Sequence, residues 1–177
     1  MLPASNIKLI ISDIDGVWTD GRIVYGERSE LKAFHVRDGL AAKLAQRAGI
    51  TIALLTSRRS QALERRAEEL RITELHQGAA DKLVEAERIA QKLGVGFDQI
   101  LYAGDDLPDL APMLRAAISA APADAAPEVL QAATWKLRTN GGAGAFREVV
   151  ERLLREREQW DAIVQEFTSG RPEAASI

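Results

Sequence analysis

Two aspartates, Asp13 and Asp15, follow the apolar run LIIS and stand one residue apart, immediately before a glycine. Carboxylates this close repel each other and lose hydration when they are buried, so something positive must offset their charge. A hard cation that prefers oxygen ligands would do so. The acid pair therefore marks a candidate metal site.

Three other segments carry side chains that suit the same chemistry: Thr56 in TSRRS, Lys82 in HQGAADK and Asp105 in GDDLPD. Asp13 and Asp105 together would hold Mg²⁺, which takes one or two carboxylates plus phosphate oxygens. Asp13 would then attack phosphorus and form an aspartyl phosphate, while Asp15 protonates the leaving oxygen and later deprotonates the attacking water. Thr56 and Lys82 would hold the phosphoryl oxygens, where charge accumulates. These residue types predict phosphoryl transfer.

The elements that must position these residues alternate between short apolar runs and segments of helical period. Strands are predicted at residues 9–12, 50–55, 72–75, 100–103 and 117–120. Helices are predicted from an Asp38 cap to Gly49, from a Ser60 cap over 61–70, and from Asp81 to Gly94. This alternation predicts an α/β fold whose parallel sheet is covered by helices on both faces. Ligands bind beyond the carboxyl ends of the strands in such sheets, which is where the polar residues stand.

Two segments depart from the alternation. RIVY and LKAFHV, separated by GERSE, predict an inserted β-hairpin at about residues 22–36. Apolar residues recur at helical spacing over about residues 144–167 and predict one long amphipathic helix, followed by a disordered tail at 168–177. Because no linker is visible, residues 1–177 are expected to form a single domain with its core at about 7–152.

Composition limits the classes of partner. The 26 acidic and 23 basic residues give a net charge of −3, which provides no broad basic surface for nucleic acid or an anionic membrane and favours a small-molecule substrate. The absence of cysteine excludes disulfides and thiolate zinc sites. The first residues show no signal-peptide pattern and no long apolar span follows, so the sequence predicts a soluble cytoplasmic protein.

The ordered series DIDGV, Thr56, Lys82 and GDDLPD resembles the four motifs of the haloacid dehalogenase superfamily of phosphatases. VWTDGRI, KAFHVRDG, TSRRSQALERRAEEL, HQGAADK and GGAGAFREV extend the resemblance, over about residues 7–152, to the 3-deoxy-D-manno-octulosonate 8-phosphate phosphatase family. The resemblance implies a Rossmann-like sheet without a cap domain, a Mg²⁺ cofactor and a homotetramer. It also implies release of phosphate from an eight-carbon keto-sugar acid during lipopolysaccharide synthesis.

The resemblance also implies roles for the acids. It places the metal ligands at the Asp13 side chain, the Asp15 main-chain carbonyl and the Asp105 side chain. It gives Asp106 or Asp109 a supporting role, in which the carboxylate orients the site lysine or a water beside the metal.

The short segments between the motifs leave no room for a cap domain, which is a conclusion from the residues themselves. An open site would let water reach the aspartyl phosphate, so a macromolecular substrate or a neighbouring subunit must cover it. The predicted hairpin exposes strand edges, and pairing them around a symmetry axis would hide these edges and wall the site.

Arginines near the mouth, meaning the opening of the predicted site, are candidates for binding a substrate carboxylate, because a carboxylate can accept two hydrogen bonds from one guanidinium. Arg58 matches the arginine of the family's threonine-glycine-arginine pattern, and Ser57 replaces its glycine. Arg59 and Arg37 are further candidates, although Arg58 and Arg59 are equally expected to bracket a helix start. Trp18, just beyond the acid pair, is a candidate for lining the mouth.

Other residues have structural alternatives. Arg37 is also expected to pair with Glu30 or Asp38, and this is the favoured role. His35 and His76 are predicted to be hydrogen-bonded structural residues rather than metal ligands.

Alternative functions remain at this level. One is a capless phosphatase that acts on a nine-carbon sugar-acid phosphate or on a phosphoprotein. Another is a receiver-type signalling domain, although receivers carry the hydroxyl and lysine after their acids, whereas here both precede GDD. A dead scaffold and a dehalogenase are disfavoured because Asp13 and Asp15 are both present.

Overall fold

A six-stranded parallel sheet forms the centre of the protein. The computed structural model describes residues 3–27 and 30–170. The strands are β1 (Leu9–Ser12), β2 (Val24–Tyr25), β3 (Glu30–Leu31), β4 (Thr51–Thr56), β5 (Glu74–Gln77), β6 (Ile100–Ala103), β7 (Ile118–Ala121) and β8 (Trp135–Lys136). The sheet has the order β5-β4-β1-β6-β7-β8, and all neighbouring pairs are parallel. Strands β1, β6 and β7 are buried throughout, as strands covered on both faces must be.

Helices cover the two faces of this sheet. They are α1 (Val36–Arg47), α2 (Gln61–Glu69), α3 (Lys82–Leu93), α4 (Leu110–Arg115), α5 (Pro127–Ala132), α6 (Ala145–Glu156) and α7 (Trp160–Thr168). Alternate residues of β1 enter different cores, because successive side chains of a strand point to opposite faces. Ile10 packs in the core with α1, α2, α6 and α7, whereas Leu9 and Ile11 pack with α3, α4 and α5. The predicted α/β fold class is confirmed.

Helix α1 begins three residues earlier than the Asp38 cap predicts. His35 caps it, with its ring Nδ1 accepting the Arg37 N–H. Asp38 lies in the first turn, is fully buried, and accepts the Arg147 N–H of α6 at 2.7 Å. The prediction that Asp38 caps α1 is wrong because this carboxylate instead satisfies a backbone donor at the start of α6.

The predicted long carboxyl-terminal helix is two helices. The chain leaves α6 at Arg157, Glu158 adopts a left-handed φ of +59°, and α7 starts at Trp160. A left-handed residue of this kind ends a helix, and both helices still pack on the same core. Apolar periodicity reports which residues are buried but not whether the helix axis continues, which is why it missed the break. Most of the predicted tail, residues 171–177, lies outside the described residues.

The predicted hairpin is present but short. Its strands β2 and β3 are antiparallel, share two residue pairs and join no other strand of the described chain. Its apolar side chains face solvent, and Tyr25 is 80% exposed. No cap domain interrupts the chain between β3 and α3, as expected. Among the described residues, no helix combines the length and the apolar character that crossing a membrane requires.

Candidate active site

Three carboxylates converge where the central strands end. Asp13 follows β1, and its N–H donates to the Ala103 carbonyl of β6 at 2.8 Å, so the strand pairing itself fixes this residue. Asp105 and Asp109 lie in the turn that follows β6. Oxygen atoms of all three carboxylates lie within 4.8 Å of one another. Neighbouring parallel strands thus bring together acids that are far apart in the chain.

Lys82 supplies the positive charge of this cluster. Its side chain is 5% exposed, and its Nζ lies 3.0 Å from Asp13 Oδ2 and 2.8 Å from Asp109 Oδ1. The residue is the first of α3, whose start is fixed by Asp81, since the Asp81 carboxylate accepts the Leu83 and Val84 N–H groups. One ammonium therefore contacts two of the three carboxylates.

Of Asp106 and Asp109, it is Asp109 that contacts Lys82, and the supporting role that the resemblance implies for it stays a prediction. Its Oδ1 accepts from Lys82 and, at 2.8 Å, from the Tyr102 hydroxyl, while its Oδ2 accepts the N–H groups of Asp105 and Asp106. Asp106 is exposed and accepts the Leu107 N–H at the start of a short 3₁₀ helix. Asp109 thus orients the lysine, and both of its oxygens are already engaged.

Tyr102 was missed by the sequence reasoning. It is fully buried within β6, and burial followed by the charge of Asp109 raises the pKa of its hydroxyl well above its usual range. The hydroxyl therefore remains a donor to Asp109. A single tyrosine in the otherwise aliphatic run ILYA, directly before GDD, is the signal that would have indicated this hydrogen bond.

The negative charges of the cluster are not fully compensated by Lys82. Burial, followed by the charge of Asp109, raises the pKa of the Asp13 carboxyl well above its usual range, and the same two causes raise that of Asp105 to about 6. Burial lowers the pKa of the Lys82 ammonium, but the charges of Asp13 and Asp109 outweigh this and leave it raised. A further cation would relieve the remaining repulsion, and the all-oxygen donor set fits a hard divalent ion.

Glycines allow the segments around the cluster to approach each other closely. Gly16 has a φ of +92°, and a Cβ at this position would collide with the Asp105 carboxylate. A Cβ on Gly141 would collide with the Gly16 carbonyl oxygen. The run GGAG is therefore the turn before α6, as predicted, and it also packs on the loop that carries the acid pair.

The Asp15 side chain points to the hairpin rather than into the cluster. Its Oδ1 contacts the Lys32 ammonium, and its Oδ2 is 4.0 Å from Nε of Arg58. This orientation leaves only the main chain of Asp15 for the metal role that the resemblance implies, and that role stays a prediction. The contact between Lys32 and Asp15 was not predicted, because a lysine in LKAFHV has the sequence features of an ordinary solvated lysine.

Thr56 ends β4 and is buried beside the loop that carries the predicted arginines. Its hydroxyl oxygen accepts the Arg58 N–H at 3.1 Å, which leaves the hydroxyl proton free to be donated to a phosphate oxygen. The Arg58 guanidinium hydrogen-bonds the Glu30 carboxylate of the hairpin. Ser57 and Arg59 are exposed, and Arg59 lies against Gly78 beside a cavity of about 530 Å³.

Arg37 lies apart from the cluster. It lines a cavity of about 730 Å³ with Arg138 and Arg147, and none of the predicted catalytic residues lines that cavity. Neither ion pair that was expected for Arg37, with Glu30 or with Asp38, is formed, because Glu30 pairs with Lys32 and Arg58 and the Asp38 carboxylate accepts the Arg147 N–H.

Trp18 and the two histidines are structural. Trp18 is 1% exposed, donates from Nε1 to the Ser12 hydroxyl at 3.0 Å and stacks on Phe146, so the prediction that it lines the mouth is wrong. The side chain is buried because it points from the loop that carries the acid pair into the core, where it packs on Phe146. His35 caps α1, and His76 lies between two glutamates, as expected for hydrogen-bonded residues.

Sequence comparison decides the family. No protein-family model matches the chain. The 3-deoxy-D-manno-octulosonate 8-phosphate phosphatase KdsC of Yersinia pestis is 44% identical over 152 residues, which cover 85% of this chain and 81% of that protein. The chain belongs to the 3-deoxy-D-manno-octulosonate 8-phosphate phosphatase family.

Solved structures agree with membership of this phosphatase family. The family's enzyme from Moraxella catarrhalis, solved in complex with a magnesium ion, a phosphate ion and a KDO molecule, is 36% identical with a TM-score of 0.91, and the match covers 93% of this chain and 95% of that one. A haloacid dehalogenase superfamily hydrolase from Legionella pneumophila is 34% identical with a TM-score of 0.88, covering 94% and 92%. The resemblance drawn from the motifs is thereby confirmed.

Proposed function

We propose that the protein is a Mg²⁺-dependent phosphatase that hydrolyses 3-deoxy-D-manno-octulosonate 8-phosphate (KDO 8-phosphate) to KDO and phosphate. The observation that carries the proposal is the cluster of Asp13, Asp105 and Asp109, whose oxygens lie within 4.8 Å of one another, with Lys82 against Asp13 and Asp109. It occurs in a chain whose relatives are named for this reaction, one of them solved with magnesium, phosphate and KDO bound.

The metal would be held by the side chains of Asp13 and Asp105 and by the main-chain carbonyl of Asp15. Asp109 is less suited as a ligand because its two oxygens already accept four hydrogen bonds. Bound Mg²⁺ would neutralise the carboxylates and the phosphate, which lets the anionic substrate approach an anionic nucleophile.

The chain's own residues then carry two displacements. In the first, a bond forms between an Asp13 oxygen and phosphorus, the bond to the sugar oxygen breaks, and Asp15 gives that oxygen a proton. In the second, water attacks the aspartyl phosphate, the bond to Asp13 breaks, and the proton of the water returns to Asp15. Lys82 and Thr56 would hold the phosphoryl oxygens through both steps.

Recognition of the sugar acid is assigned to arginines at the mouth. Arg58 is the first of these, because it is half-buried beside Asp15, and its hydrogen bond with Glu30 raises the pKa of its guanidinium and keeps it a cation. A substrate carboxylate would share this guanidinium with Glu30. Ser57 and Arg59, which follow Thr56, are further candidates, and so is Arg37, although Arg37 lines a separate cavity.

A homotetramer is part of the proposal. The hairpin exposes Ile23, Val24, Tyr25 and Leu31, and a two-stranded hairpin alone is only marginally stable in water. Packing of hairpins from neighbouring chains would bury these residues and wall the site, which has no cap domain. The reaction would serve lipopolysaccharide synthesis in the cytoplasm.

A substrate panel tests the proposal. The purified protein is assayed with Mg²⁺ against KDO 8-phosphate, a nine-carbon sugar-acid phosphate, an aryl phosphate and a phosphopeptide, with release of phosphate as the readout. We expect the highest kcat/KM for KDO 8-phosphate and no turnover by Asp13→Asn. A higher value for the nine-carbon substrate or the phosphopeptide would overturn the substrate assignment, and light scattering of the same sample tests the tetramer.

A further inference from the structure

Lys32 connects the hairpin to the proposed general acid. The residue directly follows β3, and its side chain is only 3% exposed. Its ammonium contacts Asp15 Oδ1 and lies 3.2 Å from Glu30 Oε1. Lysines almost always keep their charge in water unless they are paired, so burial between two carboxylates indicates a specific role.

The two oxygens of Asp15 have different surroundings. Oδ1 is held by Lys32 and also receives the Thr19 hydroxyl at 3.5 Å. Oδ2 is buried and has no hydrogen-bond partner within residues 3–27 and 30–170. One oxygen of Asp15 is thus anchored, whereas the other makes no hydrogen bond to the described residues and lies 4.0 Å from the Arg58 Nε, so this second oxygen is the one that can exchange a proton with a substrate.

Alternating charges join the hairpin to the site. Arg58 hydrogen-bonds Glu30, Glu30 pairs with Lys32, and Lys32 holds Asp15. The hydrogen bond from Arg58 lowers the pKa of the Glu30 carboxyl, so Glu30 stays an anion beside the lysine. The ammonium is therefore held from the hairpin side as well as from the Asp15 side.

We propose that Lys32 is the positioning residue for Asp15. Its ammonium keeps the Asp15 carboxylate turned towards the hairpin, apart from the metal-binding carboxylates, with Oδ2 free for proton transfer. The inference rests on the proposed phosphatase function and deepens it, because it makes the hairpin a working part of the site. Lys32 forms and breaks no covalent bond. It holds the Asp15 carboxyl in the position from which it gives a proton in the first displacement and accepts a proton in the second.

Substituting Lys32→Met tests this role, since methionine removes the charge and keeps an unbranched side chain. Two substrates separate the two steps: the alkoxide leaving group of KDO 8-phosphate needs a proton, whereas the phenolate of p-nitrophenyl phosphate leaves without one. Steady-state kcat and KM are measured with both substrates, and the first turnover of p-nitrophenyl phosphate is followed by stopped flow. Exposed Lys136 on β8 gives the matched control Lys136→Met.

We expect kcat of Lys32→Met on KDO 8-phosphate to fall by about 10- to 100-fold with little change in KM, which is part of the ~10² to 10⁴ that positioned acid–base groups contribute. With p-nitrophenyl phosphate, a burst of one phenolate per site should appear, because Asp13 is still phosphorylated quickly while the water step lacks its base. Lys32→Arg should recover most of kcat, and Lys136→Met should match the unaltered protein.

Three results would overturn the proposal: an unaltered kcat in Lys32→Met, a loss confined to KM, or equal slowing of the burst and of the steady state. Each would mean that Lys32 only supports the hairpin. If Lys32→Met does not fold, Lys32→Gln is compared in the same way. A protein that turns over p-nitrophenyl phosphate but not KDO 8-phosphate would refute the proposed substrate while the burst comparison stays valid, so the two failures are distinguishable.

Discussion

Asp38 makes the stability of the protein depend on pH in a direction that can be measured. Its carboxyl is fully buried, and burial raises its pKa from 3.8 to about 6, although the Arg147 N–H and the nearby charges of His35, Arg66 and Arg147 act in the opposite direction. Its Oδ2 has no hydrogen-bond partner in the described part of the chain. The charged form of Asp38 is therefore incompletely compensated.

The sign and size of this pH dependence of stability follow from proton linkage. The folded protein binds this proton more tightly than the unfolded chain, so the free energy of unfolding is greatest below pH 3.8 and falls as the pH rises through about 6. The full loss is about 3 kcal/mol, and about 1.4 kcal/mol of it falls between about pH 5 and about pH 7.5. Asp38→Asn abolishes this titration and keeps the oxygen that accepts the Arg147 N–H.

Urea denaturation of the protein and of Asp38→Asn at these two pH values, with saturating Mg²⁺, measures the effect. We expect the variant to gain about 1.4 kcal/mol relative to the unaltered protein on going from the lower to the higher pH. Exposed Asp124, whose carboxylate accepts the Gly141 N–H, provides the control Asp124→Asn. A difference between Asp38→Asn and the unaltered protein that is the same at both pH values would mean that the carboxyl of Asp38 does not titrate between them in the folded state.

Three further predictions concern the site. Arg58→Ala should raise KM for KDO 8-phosphate much more than for a neutral aryl phosphate, and equal changes would argue against carboxylate recognition. Tyr102→Phe removes a hydrogen bond to the buried Asp109 carboxylate, so it should lower the free energy of unfolding, measured with urea, by about 1.5–3 kcal/mol. It should also lower kcat, because Asp109 then holds Lys82 less firmly, and an unaltered stability would contradict this. Removing Mg²⁺ with a chelator should abolish turnover and lower Tm, since an ion at 100 times its Kd stabilises a protein by about 2.7 kcal/mol; calorimetric scans with and without added Mg²⁺ check it.

The position of the cluster could be predicted because strand ends are visible in the sequence. The run LIIS ends at Ser12 and ILYA ends at Ala103, as predicted, and the acids that follow each run meet at the edge of the sheet. Parallel pairing of neighbouring strands then leaves these acids little freedom. Lys82 could be placed for a related reason, since the Asp81 cap sets where α3 begins.

The supporting contacts could not be predicted, because they depend on which distant side chains share a space. Lys32 and Asp15 are 17 residues apart and meet only because the hairpin folds back over the acid loop. Trp18 stands beside the acid pair in sequence, yet it turns into the core and stacks on Phe146. Sequence proximity assigned this tryptophan wrongly, since a side chain can point either way from a loop.

The carboxylate cluster and the hairpin differ in what holds them in place. Asp13 is fixed by strand pairing and Asp109 by buried hydrogen bonds from Lys82 and Tyr102, so their geometry does not depend on the hairpin. Asp15 is held by Lys32, which belongs to a hairpin whose strands pair only with each other among the described residues. Packing of another chain on the exposed hairpin residues would order Lys32 and exclude water from the mouth at the same time, and both effects strengthen its hold on Asp15. Assembly would therefore act on the proposed proton transfer through Lys32, whereas the proposed metal site and nucleophile depend on contacts that the hairpin does not make.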